Sequence, residues 1–379
     1  MHIINENRGK PGRAWVEVDL DAIAHNAAAV RSLMGGNCDL MAIVKADAYG
    51  HGAVRASERL YREGVRAFAV ATLDEGLTLR ESGLDGDILV LGYTEPSDAH
   101  ALHDFKLTQL VVDGAYAGAL GETGKKLDVH IAVDTGMHRL GIAHDDLREI
   151  EGVYGRGNLA VKGVATHLAA SDSLDDEDVE FSEAQLRRFG DVVSSLRGAG
   201  LDTGKLHAQA SYGVCNFSSA GFDYARVGVM LYGVMSHFGE ARLQPALMPA
   251  LSFRAVIAQV REIEAGETVS YGRAFTAERP MMLATVCAGY ADGAPRQASG
   301  RGLCCIVHGH RVPVVGRICM DMLMADVTGV DDVKPGDVAT LIGADGGEVI
   351  RCEEVARASG TITNDILCRL GGRLPRVYV

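Results

Sequence analysis

The feature that most constrains the fold is a repeating unit. From residue 39 to about residue 228, short apolar runs alternate with segments of helical composition. The runs fall at residues 40–45 (LMAIVK), 67–71 (AFAVA), 88–91 (ILVL), 109–112 (QLVV), 129–133 (VHIAV), 161–167 (VKGVATH), 206–208 (LHA) and 225–228 (ARVG). They are nearly continuous in apolar character, as expected of parallel strands covered on both faces. Eight strand–helix units in succession predict an α/β barrel of the TIM-like (β/α)8 kind. The intervening helices carry ordinary signals. Residues 19–34 are alanine-rich, with acids in the first turn and Gly35-Gly36 as a stop, and residues 182–196 end before Gly198.

After Gly239 the texture changes. Segments 252–261, 282–288, 302–308, 311–315, 322–327 and 337–341 are short, β-rich and separated by glycine, proline or acidic turns. They predict a mainly antiparallel β domain, followed by a helix over 350–359. The expected division is a barrel over residues 13–240 and a β-rich C-terminal domain over 241–379, with the N-terminal segment 1–12 packing on the latter. A chain of 379 residues is long enough for both.

The net charge of -13 argues against nucleic acid and anionic membrane as partners. No apolar run approaches the ~20 residues that span a bilayer, and the polar start lacks the apolar core of a signal peptide. Eight scattered cysteines without a C-x-x-C pair suggest free thiols in a reducing cytoplasm. No metal site is expected; His308 and His310 read as turn residues around Gly309.

Barrel active sites are built at the carboxyl ends of the strands. The first run ends in Lys45. A lysine there is either a solvated amine or a nucleophile whose pKa its site lowers, and position alone leaves both open. Arg139 follows the fifth run, His167 ends the sixth, Ser211 follows the seventh, and Arg226 leads into Gly228-Val229 in the eighth. Loops after the last two strands of such barrels often hold a phosphate, for which a hydroxyl and bare backbone amides are suited. Lysine, phosphate cradle and arginines at one rim point to a phosphorylated aldehyde cofactor held by the lysine. Singly, each residue also has an ordinary reading. Tyr271 would be a packing or interface tyrosine, His167 and Met320 core residues, and Arg226 the partner of an acid such as Asp223. The acidic run 172–180 reads as a solvated helix start.

Together the motifs carry more. VKADAYGHG (44–52), DTGMHRLG (134–141), RVGVMLYG (226–233), VSYG (269–272), GYADG (289–293) with Arg296, GRICMD (316–321) and LPRVY (374–378) occur in order along nearly the whole chain. The chain thereby resembles the alanine racemase family. The resemblance implies pyridoxal 5'-phosphate (PLP) as cofactor, L- and D-alanine as substrates, a homodimer with shared active sites, and D-alanine supply for the cell wall. It implies that Lys45 holds the cofactor and acts as base on one face, while Tyr271 of the other protomer acts on the opposite face. Tyr49, Ser211, Gly228, Val229 and Tyr378 would hold the phosphate. Arg226 would donate to the pyridine nitrogen, and Arg139 would meet the cofactor's phenolic oxygen and the substrate carboxylate. His167 would pack near the ring and link to Arg226 and Tyr271. Met320 and Tyr290, beside Asp321, would approach the substrate carboxylate from the partner.

The residue types suit the chemistry. Racemisation needs two bases on opposite faces of Cα, and an amine with a phenol supplies them once their pKa values, ordinarily ~10, are lowered or paired. An arginine can only donate, so Arg226 would leave the pyridine nitrogen unprotonated and shorten the life of a carbanion.

The chain departs from the family's usual pattern at Ala132, often a carbamylated lysine that pins the substrate-orienting arginine, and at His138, Ala210 and Ala294. Arg139 must then be held otherwise, by an anion, water, His138 or Asp134. THLAASDS and HAQASYGVCNF are similar to the racemase domains of serine/alanine racemases from glycopeptide-resistance systems, which makes serine the alternative substrate. Two rivals are a non-catalytic PLP-binding single barrel, which would lack the VSYG tyrosine, and a decarboxylase of the related two-domain class. The latter places an acid where Arg226 stands and a catalytic cysteine in its β domain, for which Cys319 is the residue to watch.

Overall fold

A computed structural model describes residues 11–236 and 239–379. The expected packing of segment 1–12 falls almost wholly outside the described residues. Eight strands, Asp39–Ile43, Ala67–Val70, Asp87–Val90, Thr108–Val111, Leu127–Asp134, Leu159–Ala165, Lys205–His207 and Tyr224–Val227, lie parallel in sequence order. The eighth pairs with the first, Arg226 opposite Met41, and closes the barrel. All eight predicted strands are present. Seven of them were expected to run one or two residues further; Lys45, His167 and Gly228, for example, lie just past the ends of their strands. Apolar character continues there because the residues turn into a buried rim instead of into water.

The barrel is sealed by fully buried aliphatic and aromatic side chains such as Phe68, Ile88 and Leu120. The helix Leu20–Arg31 starts where the Asp19 carboxylate accepts from Ala22 N at 2.8 Å. The acidic run opens the helix Asp176–Gly198, with Asp176, Glu177 and Asp178 in its first turn, where they complement the helix dipole.

The C-terminal domain is a mostly antiparallel sheet organised on one long strand, Leu251–Ile263, which pairs with Met281–Val286, Val338–Asp345 and Ala14–Val18. Ala14–Val18 also pairs in parallel with Arg376–Tyr378. The sequence places residues from 13 onward with the barrel; this strand is instead held by the second sheet, between segments far along the chain (Glu17 and Arg254, which hydrogen-bond, are 237 residues apart) that only tertiary structure brings together. The expected late helix is present as Cys352–Ser359. A second short helix, Thr363–Cys368, was not expected from the sequence. It seats the C-terminal domain on the barrel mouth so closely that a Cβ on Gly50 would meet Leu367 O at 2.6 Å.

Candidate active site

The carboxyl ends of the barrel strands open into a cavity of about 630 Å³. Lys45, Tyr49, Arg139, His167, Ser211, Arg226, Gly228 and Val229 all line it. Eight of the nine residues expected to hold the cofactor thus converge.

Lys45 leaves the first strand and begins an unusual turn in which Ala46, Asp47, Ala48 and Tyr49 all take positive φ. The turn presents Lys45 and Tyr49 to the same cavity. Burial, and then the Arg139 guanidinium, hold the Lys45 ammonium below its ordinary pKa, as an amine that must accept a proton requires. Burial drives the Tyr49 phenol the other way, well up, so it stays a donor.

The phosphate end is a built concavity. Gly228 N donates to Ser211 Oγ at 3.2 Å. A Cβ on Gly228 would lie 2.6 Å from the Tyr49 hydroxyl, so glycine leaves open the space in which an anion would meet phenol, hydroxyl and backbone amide. The residues therefore fit a phosphorylated ligand.

Arg226 is buried at the barrel's centre. Its Nη1 donates to His207 Nδ1 at 2.6 Å and His207 O at 2.9 Å; its Nη2 donates to Thr166 O, Ala208 O and His167 Nδ1 at 2.7–3.0 Å. No carboxylate pairs with it among the described residues, so the expected alternative with Asp223 is not taken; Asp223 accepts from Leu206 N and lies near Lys205. Burial and Arg139 lower the Arg226 pKa to about 10, which leaves it charged at neutral pH. Burial and the cations Arg226, Arg139 and Lys45 hold His167 down to about 3, so it is neutral. Lys45, Arg139 and Arg226 make the cavity locally cationic inside an acidic protein, which suits substrate carboxylate and cofactor phosphate.

Asp134 is spent elsewhere. It accepts from Gly136 N, His138 N and His138 Nδ1. Neither it nor His138 holds Arg139, which makes no hydrogen bond or ion pair among the described residues. Ala132 lines the cavity beneath.

Tyr378 is not among the residues that line the cavity. Its hydroxyl lies where a Cβ on Gly52 would be, at 1.9 Å, and its ring sits under Arg55. It belongs to the strand paired in parallel beside Ala14–Val18. Ile362 and Asn364 reach the cavity from this end of the chain, and the buried Oδ1 of Asn364 has no hydrogen-bond partner among the described residues. Sequence reasoning missed Asn364: no local signal marks it, and it matters only because its helix caps the barrel mouth. It also missed His207 and His130, the latter accepting or donating at 2.7 Å to His207 Nε2.

Tyr271, Tyr290, Met320 and Asp321 do not line the cavity of their own chain. They lie on the C-terminal domain, where Tyr271 is 68% and Met320 52% exposed. Tyr290 N and Ala291 N donate to Cys319 O and Met320 O at 3.0 Å, which joins the two loops. Asp321 is not a free acceptor: Arg373 donates to its carboxylate at 2.7 Å and Arg13 to its backbone oxygen at 3.2 Å. These two bonds tie the residue after Met320 to Arg13 and Arg373.

Residues 18–236 match the model of the alanine racemase N-terminal domain, and residues 250–378 that of the alanine racemase C-terminal domain. An amino-acid racemase of Enterococcus faecalis is 40% identical over 96% of this chain, and the chain spans about half of that relative, 51%. An alanine racemase of Carboxydothermus hydrogenoformans is 39% identical over 96% of this chain and 99% of its own length. The crystal structure of alanine racemase from Bartonella henselae with covalently bound pyridoxal phosphate superposes with a TM-score of 0.83 at 30% identity, covering 97% of this chain and all of that one.

Proposed function

The chain belongs to the alanine racemase family of isomerases, and on that premise we propose that it interconverts L- and D-alanine with PLP, in a homodimer whose two active sites are shared. The observation that carries this reading is the convergence, in one cavity, of an amine held below its usual pKa and a phosphate-sized concavity: Lys45 facing Tyr49, Ser211 and Gly228. When bound, PLP supplies the conjugated system that accommodates the electron pair left at Cα.

The remaining work belongs to side chains. Lys45 Nζ removes or returns the Cα proton on one face. The Tyr271 phenol of a second copy does so on the other, which explains why so large an aromatic is exposed on its own chain. Arg139, without a hydrogen bond or ion pair among the described residues, offers a guanidinium to the substrate carboxylate. Arg226 can only donate, so it leaves the pyridine nitrogen without a proton and disfavours reactions that need a long-lived carbanion. Met320 and Tyr290 approach the substrate from the partner, carried by their joined loops. The setting is the cytoplasm, where eight unpaired cysteines stay reduced, and the product serves cell-wall synthesis as in the family. No helix among the described residues is long and apolar enough to cross a membrane.

A second reading, serine in place of or beside alanine, is favoured by Asn364. Its orphaned Oδ1 lines the cavity, and a β-hydroxyl is a donor that would satisfy it, whereas the methyl of alanine is not. The ratio of kcat/KM for L-alanine and L-serine decides between them. An alanine preference supports the first reading; a serine preference overturns it.

A further inference from the structure

The turn that follows Lys45 is one turn of left-handed helix. Ala46, Asp47, Ala48 and Tyr49 have φ of 52–54° and ψ of 42–49°. In this region each Cβ crowds the next carbonyl oxygen, so L-residues rarely occupy it in succession. Such a segment persists only where its surroundings over-determine it.

Three side chains do so. At the start, Glu75 accepts from Ala46 N at 2.6 Å and, with its other oxygen, from Ala71 N at 2.7 Å. Beyond the turn, Asp47 Oδ1 accepts from Ala53 N at 2.7 Å. At the end stands His51. Its Nδ1 is 3.0 Å from both Ala48 O and Tyr49 O. Both are acceptors, so Nδ1 carries the proton. The ring is fully buried and stacked on Tyr232 with centroids 4.5 Å apart, and Tyr232 in turn donates to Ile43 O at 2.8 Å. His51 Nε2 has no hydrogen-bond partner among the described residues. The reaction described above gives this histidine nothing to do, and it does not line the cavity. A buried imidazole with one nitrogen unsatisfied is costly, and the bond at the other nitrogen is the one contribution the site takes from it.

We infer that His51 is a positioning residue for the phosphate end of the site: its Nδ1–H clamps the carbonyls of Ala48 and Tyr49, holds the left-handed turn closed, and so aims the Tyr49 phenol at Gly228 and Ser211. The inference rests on the PLP reading. The clamp acts on the end of the turn that carries Tyr49; the Lys45 end is held separately by Glu75. Loss of the His51 N–H therefore affects the grip on phosphate and leaves the amine in place.

The test uses apoprotein of the full chain, titrated with PLP and, separately, with pyridoxal, which lacks the phosphate. Binding is followed by the absorbance of the lysine-bound form. His51→Phe keeps the ring stack and removes the N–H; it is expected to weaken PLP by about tenfold while changing pyridoxal by less than about twofold. His51→Asn keeps a donor within reach of the same carbonyls and is expected to restore most of the PLP affinity. His51→Leu serves if the Phe variant does not fold. Equal weakening of both ligands, or no weakening of PLP, overturns the inference and makes His51 a core residue only. A wild-type protein that binds neither ligand overturns the PLP reading itself, and the inference with it.

Discussion

Arg226 Nη1 lies 2.6 Å from His207 Nδ1, and that contact has one direction only. A guanidinium donates and does not accept, so His207 Nδ1 holds a lone pair and its Nε2 holds the proton. Nε2 then donates to His130 Nδ1 at 2.7 Å, which leaves the His130 proton on its own Nε2. Three buried groups thus share a single proton arrangement, set by the buried arginine at the barrel's centre. Replacing His207 with leucine would strand an N–H of Arg226 and the acceptor of His130. The expected loss is about 1–3 kcal/mol for each stranded group, read as a lower midpoint in denaturant unfolding. An unchanged midpoint would show that this chain of bonds does not stabilise the barrel.

Four imidazoles make stability acid-sensitive. Burial holds His51 and His130 at about 4 and His167 at about 3, and pushes His207 well below its ordinary 6.5. Each is more protonated in the unfolded chain than in the folded one between its folded value and 6.5. Stability therefore rises with pH across that window. The contribution is fully present above 6.5 and is lost as pH falls toward about 4, at roughly 1.4 kcal/mol per pH unit for each group. Unfolding free energy measured from pH 8 to pH 4 should be flat at first and then fall steeply below about 6.5. A flat profile down to pH 5 would mean that these histidines are charged or exposed in solution.

Shared sites make a prediction about mixtures. Lys45→Ala and Tyr271→Phe should each abolish most activity as pure proteins. Mixed and refolded in equal amounts, half of the dimers are hybrids, and each hybrid rebuilds one complete site from one chain's Lys45 and the other's Tyr271. Activity should return to about one quarter of wild type. If Tyr271 served the cavity of its own chain, mixing would restore nothing.

The serine reading makes a prediction at Asn364, whose Oδ1 lines the cavity. Asn364→Leu fills the position without an acceptor, and is expected to lower kcat/KM for L-serine by about tenfold relative to L-alanine. A parallel loss for both amino acids would mean that Asn364 shapes the cavity without reading the side chain.

Much of this was legible before any coordinates. Apolar periodicity shows the eight strands because a parallel barrel buries both faces of each, and the barrel's polarity tells which end of each strand to inspect. That places Lys45, Arg139, His167, Ser211, Arg226, Gly228 and Val229 at one rim, while Tyr49 is marked only by the family resemblance of VKADAYGHG. What stayed hidden depends on long-range packing. The strand Ala14–Val18 is too short to announce its sheet, and its partners lie at the far end of the chain. Tyr378 and Asn364 are 14 positions apart, and the fold alone decides which of them reaches the cavity. The left-handed turn at 46–49 carries no glycine before Gly50, so nothing in its composition signals positive φ.

The central claim, that this cavity moves a proton between the two faces of an amino acid's Cα with Lys45 as one of its bases, is tested most directly in deuterated water. The protein reconstituted with PLP should convert L-alanine to D-alanine with one deuterium at Cα of the inverted product, seen by proton NMR together with a chiral assay. Lys45→Ala should do neither. Release of the corresponding amine, or recovery of L-alanine without exchange or inversion, would contradict the account.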